Sequence, residues 1–106
     1  MDWIADLEST VRALLVPAKG ILAADESLPT IERRFSALGI PSTEETRRAY
    51  RAMLFTTPGL CAHISGAILF DETLHQRTAD GVPLLDVLTN AGIVPGITVD
   101  TGLVAL

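Results

Sequence analysis

Short apolar runs that end in acidic residues recur three times along the chain. Residues 20–24 lead into Asp25 and Glu26, residues 64–70 lead into Asp71, and residues 96–99 lead into Asp100. Unbroken apolar runs predict strands that are buried on both faces, as in parallel sheets. In α/β folds, polar groups beyond the carboxyl ends of such strands lie where ligands bind. The pattern therefore predicts a site at one edge of a parallel sheet.

Apolar residues at spacings of three and four predict a helix before the first strand and another after it. We expect the first helix to end at Pro17, with Trp3 as its anchor in the core. The second begins near Pro29, because proline suits the first turn of a helix. Its buried stripe includes Leu38, and Gly39 is a natural C-terminal cap.

Two more helices follow, one after Pro41 and one from Pro83 to Gly92. In the earlier of these, Ser42 and Glu45 have the spacing of a capping box. We expect its apolar residues to face inward and its arginines to form a solvated face paired with Glu44 and Glu45. The inward set is Ala49, Tyr50, Met53 and Leu54, and the solvated set is Arg47, Arg48 and Arg51.

The chain has 106 residues, of which 48% are apolar, and a mean hydropathy of +0.37. This length holds about three strand–helix units, at roughly 30 residues per unit. An open sheet of three parallel strands leaves its edges unpaired. We therefore expect this chain to form part of a larger domain.

The charge and the single cysteine narrow the class of protein. Thirteen acids against eight bases give a net charge of −5, and no basic stripe indicates a nucleic-acid partner. No apolar stretch approaches the ~20 residues of a membrane helix. Acidic Asp2 and Asp6 do not fit a signal peptide. The lone Cys61 forms no internal disulfide, so we expect a reducing, cytoplasmic setting. We also expect Cys61 to be a small buried residue.

Four segments together resemble class I fructose-bisphosphate aldolase. They are residues 19–27, 43–51, 64–70 and 93–100. The likeness runs from about Val16 to Leu106 and corresponds to the N-terminal third of that family. It implies a partial TIM (β/α)8 barrel, with about the first three βα units and an N-terminal helix. Residues 1–106 would then be incomplete as a single domain.

The resemblance also implies an activity. The family reversibly cleaves fructose 1,6-bisphosphate to dihydroxyacetone phosphate and glyceraldehyde 3-phosphate in glycolysis. It uses a lysine Schiff base and no metal or other cofactor. We accordingly expect a phosphorylated sugar substrate, no nucleic-acid or membrane partner, and homo-oligomers of the full-length protein.

Particular residues match the family's functional positions. The resemblance implies that Asp25 is the catalytic carboxylate, acting in proton transfer around the bond that breaks. Ser27 and Thr30 match hydroxyls near a substrate phosphate, Arg34 matches an arginine at that site, and Arg47 matches a position counted as a substrate contact.

The sequence departs from the family at several positions. Leu28 and Pro29 replace the usual Thr-Gly pair, and Thr98 and Thr101 replace lysines, the first of them near a substrate phosphate. Lys19 is the single lysine, and it precedes the first strand, on the rim opposite Asp25. The family's Schiff-base lysine lies on a later strand, so we expect the chain alone to be inactive.

Two alternatives to an aldolase segment remain open. One is a truncated, non-catalytic remnant that is inert or binds other polypeptides through exposed sheet edges. The other is a metal site in which Asp71, Glu72 and Asp100 join Asp25, because carboxylates suit Mg²⁺. The plainer interpretations are that Glu26 is a supporting acid and that His63 is a packed histidine.

Overall fold

A computed structural model describes residues 2–99, and these form a three-stranded parallel sheet with helices. The elements in chain order are α1 (Trp3–Leu14), β1 (Gly20–Ala24), α2 (Leu28–Ser36), α3 (Glu44–Phe55), β2 (Ile64–Leu69), α4 (Leu84–Asn90) and β3 (Val94–Ile97). Two 3-10 helices, Leu60–Ala62 and Asp71–His75, flank β2. The alternation of strands and helices gives the α/β class that the sequence predicts.

The sheet has the order β1-β2-β3 with all strands parallel. Leu69 pairs with Ala24 on one side and with Ile97 on the other, so the three carboxyl ends meet at one edge. The predicted start of the third strand is wrong, because β3 begins at Val94 and contains Pro95. In the described residues β3 pairs on one side only, so a strand residue without an N–H is tolerated there.

The core lies between the sheet and helices α3 and α4. Seven side chains form one buried cluster: Ala24, Phe55, Ala67, Leu69, Leu84, Leu88 and Ile93. Burying a leucine or phenylalanine fully contributes roughly 1.5–3 kcal/mol each. This cluster therefore fixes β1 and β2 against the two helices that follow them.

Several side chains that the sequence predicts to be buried are exposed. Trp3 is 64% exposed, no residue of α1 is buried, and Ile21 of β1 is 51% exposed. The serine hydroxyl of Ser65 donates to the carbonyl of Leu14 at 2.6 Å and holds the end of α1 near the sheet. Periodicity identifies the apolar side of an element correctly, but it does not show what covers that side.

The helix ends are partly as predicted. Pro29 lies in the first turn of α2 and Gly39 follows it with a φ of +70°, a conformation that favours glycine. Leu38, however, is exposed. The predicted capping box of Ser42 with Glu45 is wrong, because the box of α3 is Thr43 with Thr46, where the amide of Thr46 donates to the Thr43 hydroxyl at 3.1 Å.

Four further predictions of burial are wrong. Ala49, Met53, Cys61 and His63 are exposed, although the sequence favours packed positions for all four. Ala49 and Met53 line an open cavity between α2 and α3, and Cys61 and His63 lie in the connection to β2. That connection runs over the surface, as most connections do.

Candidate functional site

A cavity of about 680 Å³ lies at the carboxyl edge of the sheet. It is lined by the segments that follow all three strands: Ser27, Leu28, Pro29, Phe70, Asp71, Ile97, Thr98 and Val99. The prediction of a site at this edge is thus matched by a cavity there. The predicted acid Asp100 lies outside the described residues.

Asp25 and Thr98 join the ends of β1 and β3 at this edge. The Thr98 hydroxyl donates to Oδ2 of Asp25, and the Thr98 amide donates to the carbonyl of Leu69 at 3.0 Å. Both side chains are half-buried. Asp25 therefore stands at the sheet edge with a neutral hydroxyl as its hydrogen-bond donor.

The two predicted hydroxyls come together at the start of α2. Oγ of Ser27 lies 3.0 Å from Oγ1 of Thr30. Ser27 is the N-cap residue of α2, but its hydroxyl bonds no backbone amide of the helix. The pair thus lies at the N-terminus of α2, near amides that favour anions.

The structure pairs Arg34 with Glu26 instead of with these hydroxyls. Nη1 of Arg34 lies 2.7 Å from Oε2 of Glu26, whose side chain is nearly buried. Tyr50 also reaches that carboxylate, at 3.5 Å. These contacts link Glu26 to α2 and α3, and its role as a supporting acid stays a prediction.

Arg33 is the arginine that adjoins the hydroxyl pair, and the sequence interpretation missed it. Its Nη2 donates to Oγ1 of Thr30 at 3.4 Å. A residue three positions along a helix shares a face with its predecessor, so the spacing from Thr30 to Arg33 is a signal that could have found it.

Arg47 lies on α3 and is bonded to Glu72 in the 3-10 helix that follows β2. Its Nε and Nη2 donate to the two carboxylate oxygens at 2.8 and 2.9 Å, and its Nη1 donates to Ser42 at 3.2 Å. This hydrogen bonding lowers the pKa of Glu72 and raises that of Arg47. No contact in the described residues joins Arg47 to Asp25 or to the hydroxyl pair.

Arg51 corrects the prediction of a solvated arginine face on α3. It is 1% exposed, and its Nη1 donates to Glu72 at 2.6 Å and to Gln76 at 2.9 Å. Arg51 lies four residues before Phe55, the other buried residue of α3, so the two share the inner face. Arg48 alone keeps the predicted pairing, with Glu45 at 2.6 Å.

The metal alternative finds no support among residues 2–99. In that part of the chain no three His, Cys, Asp or Glu side chains lie close enough to hold an ion. Glu72, one of the proposed ligands, is already bonded to two arginines. Among residues 2–99, no helix is long and apolar enough to cross a membrane.

The family is decided by comparison with known proteins. A family model described as fructose-bisphosphate aldolase class-I matches residues 6–106. The chain belongs to the class I fructose-bisphosphate aldolase family. The resemblance seen in the sequence is therefore confirmed.

Aldolases from distant organisms resemble the chain closely. It is 57% identical over 99 residues to a probable fructose-bisphosphate aldolase class 1 of Xanthomonas campestris and 50% identical over 101 residues to fructose-bisphosphate aldolase 7, cytosolic, of Arabidopsis thaliana. The match covers 93% and 95% of this chain but 30% and 28% of those proteins. The chain thus spans somewhat less than a third of these aldolases.

A solved structure shows the same fold over this length. It is the fructose-bisphosphate aldolase of Plasmodium falciparum, solved in complex with TRAP and a small-molecule inhibitor. The TM-score is 0.94 at 50% identity, over 99% of this chain and 30% of that one. The parallel sheet with its helices thus matches part of an aldolase.

Proposed function

We propose that this chain supplies the first third of a class I aldolase active site. In that site fructose 1,6-bisphosphate is cleaved reversibly to dihydroxyacetone phosphate and glyceraldehyde 3-phosphate. The observation that carries the proposal is the place of Asp25. It follows β1 at the sheet edge and accepts a hydrogen bond from Thr98, which lines the cavity at the three strand ends.

Asp25 acts in proton transfer. Cleavage of the carbon–carbon bond of a ketose requires that a proton leave the hydroxyl next to that bond. A half-buried carboxylate within reach of the hydroxyl can accept it, and the hydrogen bond from Thr98 orients the carboxylate. The residue thus serves as the base on one side of the reacting carbons.

The start of α2 serves as a phosphate subsite. Ser27 and Thr30 supply hydroxyl donors, and Arg33 supplies the adjoining positive charge. Arg34 joins this subsite only by leaving Glu26, and Arg47 contacts substrate only by leaving Glu72. The ion pairs therefore favour supporting roles for these two arginines in the absence of substrate.

The Schiff base requires a lysine from outside these residues. Lys19 is the single lysine in the sequence, and it precedes β1, whereas Asp25 follows it. Five strand residues at about 3.3 Å each separate the two by roughly 16 Å. The chain therefore acts within a complete (β/α)8 barrel; its cytoplasmic location and its assembly into homo-oligomers stay predictions.

A full-length chimera tests the proposal. It consists of residues 1–106 followed by the remaining length of the Xanthomonas campestris relative. We expect release of triose phosphate from fructose 1,6-bisphosphate, and borohydride should trap the substrate on a lysine of the relative's portion. A soluble chimera that binds no substrate and releases no product would overturn the proposal.

The non-catalytic alternative has one observation in its favour. In the described residues β1 and β3 each pair on one side only, and both carry exposed isoleucines. Such edges can add a strand from another polypeptide. The two functions are distinguished by mixing the chain with the rest of the Xanthomonas campestris relative, made as a separate polypeptide. An aldolase segment should restore aldolase activity, whereas a binding remnant should form a complex that has no activity.

A further inference from the structure

We propose that Arg51 is a positioning residue that fixes Asp71 in the wall of the strand-end cavity. The proposal deepens the proposed function, since it concerns the same site. Arg51 itself does not line the cavity. Phe70 and Asp71 do, and one guanidinium contacts the residues on both sides of Asp71.

The first contact is with the residue before Asp71. The guanidinium carbon of Arg51 lies 5.9 Å from the centre of the Phe70 ring, within the range of a cation–π interaction. Phe70 is half-buried and is the last residue before the 3-10 helix Asp71–His75. Its ring is therefore held between the cavity and a buried charge.

The second set of contacts is with residues after Asp71. Nη1 of Arg51 donates to Oε1 of Glu72 at 2.6 Å and to the side-chain oxygen of Gln76 at 2.9 Å. Glu72 and Gln76 span most of the 3-10 helix. The guanidinium of Arg51 thus contacts the first turn of this 3-10 helix and the residue that follows its C-terminal end. It also contacts the Phe70 ring that precedes the helix.

Arg51 can position others because it is itself fixed. It lies on the inner face of α3 with Phe55, and Glu72 is bonded in turn by Arg47. The side-chain amide of Gln76 donates to the carboxylate of Glu44 at 3.1 Å at the start of α3. A buried charge is costly unless it is paired, so the guanidinium cannot leave these partners without loss.

Asp71, in contrast, has an exposed side chain, and the described hydrogen bonds and ion pairs do not include it. Its direction therefore depends on its neighbours. With Arg51 in place, the carboxylate of Asp71 is held at the cavity, where it can accept hydrogen bonds from sugar hydroxyls. Without Arg51, the turn that follows β2 becomes less rigid. Ligand binding then weakens more than the rate of the chemical step.

The test uses four single variants of the full-length chimera: Arg51→Met, Arg51→Lys, Glu72→Gln and Asp71→Ala. We expect Arg51→Met to raise KM about tenfold, as for loss of hydrogen bonds to a charged group, with kcat changed less than about threefold. Arg51→Lys keeps the positive charge and can still donate hydrogen bonds, so its KM should lie between those of the parent chimera and Arg51→Met. Arg48→Met is the matched control on the same helix and should leave KM unchanged.

Two further measurements separate positioning from general destabilisation. The amides of Thr73 and Gln76 donate to the carbonyls of Phe70 and Thr73 at 3.0 and 3.1 Å. Arg51→Met should speed their hydrogen exchange, whereas the amide of Thr98 at the sheet edge should stay unchanged. Asp71→Ala should raise KM without changing exchange, and the Arg51→Met/Asp71→Ala double variant should not be additive.

Each outcome decides the proposal. Unchanged KM and unchanged exchange in Arg51→Met overturn it, as does exchange that rises equally at Thr98. Additive effects of Arg51→Met and Asp71→Ala also overturn it, because Arg51 would then act on another residue. If Arg51→Met does not fold, Arg51→Lys and Glu72→Gln carry the same test. An inactive parent chimera contradicts the proposed function, and the exchange rates still decide the role of Arg51.

Discussion

The carboxylates of this chain differ in their partners, and the partners indicate their roles. Asp25 accepts a hydrogen bond from a neutral hydroxyl, whereas Glu26 and Glu72 are paired with arginines. A carboxylate that stabilises a permanent cation is poorly suited to exchange protons. Among these three, Asp25 is therefore the one whose chemistry remains available to a substrate.

Replacing Asp25 tests this difference. In the full-length chimera, Asp25→Asn should lower kcat by about 10²–10⁴-fold, because an amide cannot accept the proton. KM should change much less, since the side chain keeps its size. Glu26→Gln is the matched control and should lower kcat far less. Unchanged turnover in Asp25→Asn would remove Asp25 from the mechanism.

Glu72 gives a prediction about pH. Its hydrogen bonds from Arg47, together with those from Arg51, hold its pKa below the ordinary 4.5. A carboxylate with a lowered pKa in the folded state stabilises the fold above its ordinary pKa, and this stabilisation is lost as pH falls through the folded value. Glu72→Gln should thus lower the free energy of unfolding by on the order of 2 kcal/mol at pH 7.

The pH dependence can be followed by urea unfolding of the full-length chimera and its Glu72→Gln variant. The difference between the two should be constant at pH 6–8, because Glu72 is fully ionised there, and should shrink in acid below its ordinary pKa. A difference that stays the same into strong acid would show that the charge of Glu72 does not contribute.

At the scale of elements, the sequence predicts the bounds of β1 and β2 well, and it predicts the start of β3 and the buried face of α3 poorly. The bounds of β1 are as predicted, because an unbroken apolar run between glycine and acid has few other interpretations. Arg51 misleads because its charge suggests solvent, although its Nη1 donates to Glu72 and Gln76 in a distant segment. Long-range pairing of this kind is not visible in helical periodicity.

The candidate site shows the same limit. Its place at the carboxyl ends of the strands follows from strand order, and the meeting of Ser27 with Thr30 follows from helical spacing. The pairing of Arg34 with Glu26 depends on how α2 is oriented on the sheet. Sequence periodicity does not fix that orientation, so it could not distinguish Arg33 from Arg34.

The cap of α3 provides a test at this scale. Thr43→Ala removes the hydroxyl that accepts from the Thr46 amide, which typically costs about 1 kcal/mol of helix stability. In the full-length chimera this should appear as faster hydrogen exchange at the Thr46 and Arg47 amides. Glu45→Gln, in the box predicted from sequence, is the control and should leave these amides protected. Equal exchange in both variants would contradict the assignment of the cap.

At the scale of the whole molecule, exposed apolar surface sets the behaviour of the chain alone. The apolar side chains of α1 and β1 are exposed, and three strands cannot close a barrel. We expect the purified chain to self-associate, or to have loosely packed side chains and to bind hydrophobic dyes. Light scattering and near-ultraviolet circular dichroism check this. A monomer with a sharp, cooperative thermal transition would contradict the expectation.

We predict that the chain alone has no aldolase activity, because of where its amine lies. Imine formation with a ketone requires an amine that can lose its proton, which arginine cannot supply. Lys19 is the single lysine and lies before β1, roughly 16 Å from the carboxyl end at Asp25. The sheet stands between the two ends, and a lysine side chain does not span that distance.

Incubation of the chain with fructose 1,6-bisphosphate and borohydride should therefore leave Lys19 unmodified by mass spectrometry. The full-length chimera, treated in the same way, should carry one reduced adduct on a lysine of the portion taken from the relative. We expect the complete (β/α)8 barrel to place that lysine at the same edge of the sheet as Asp25. Lys19→Arg in the chimera keeps the charge and should keep full activity. An adduct on Lys19, or triose phosphate released by the chain alone, would show that the amino end of β1 takes part in the chemistry.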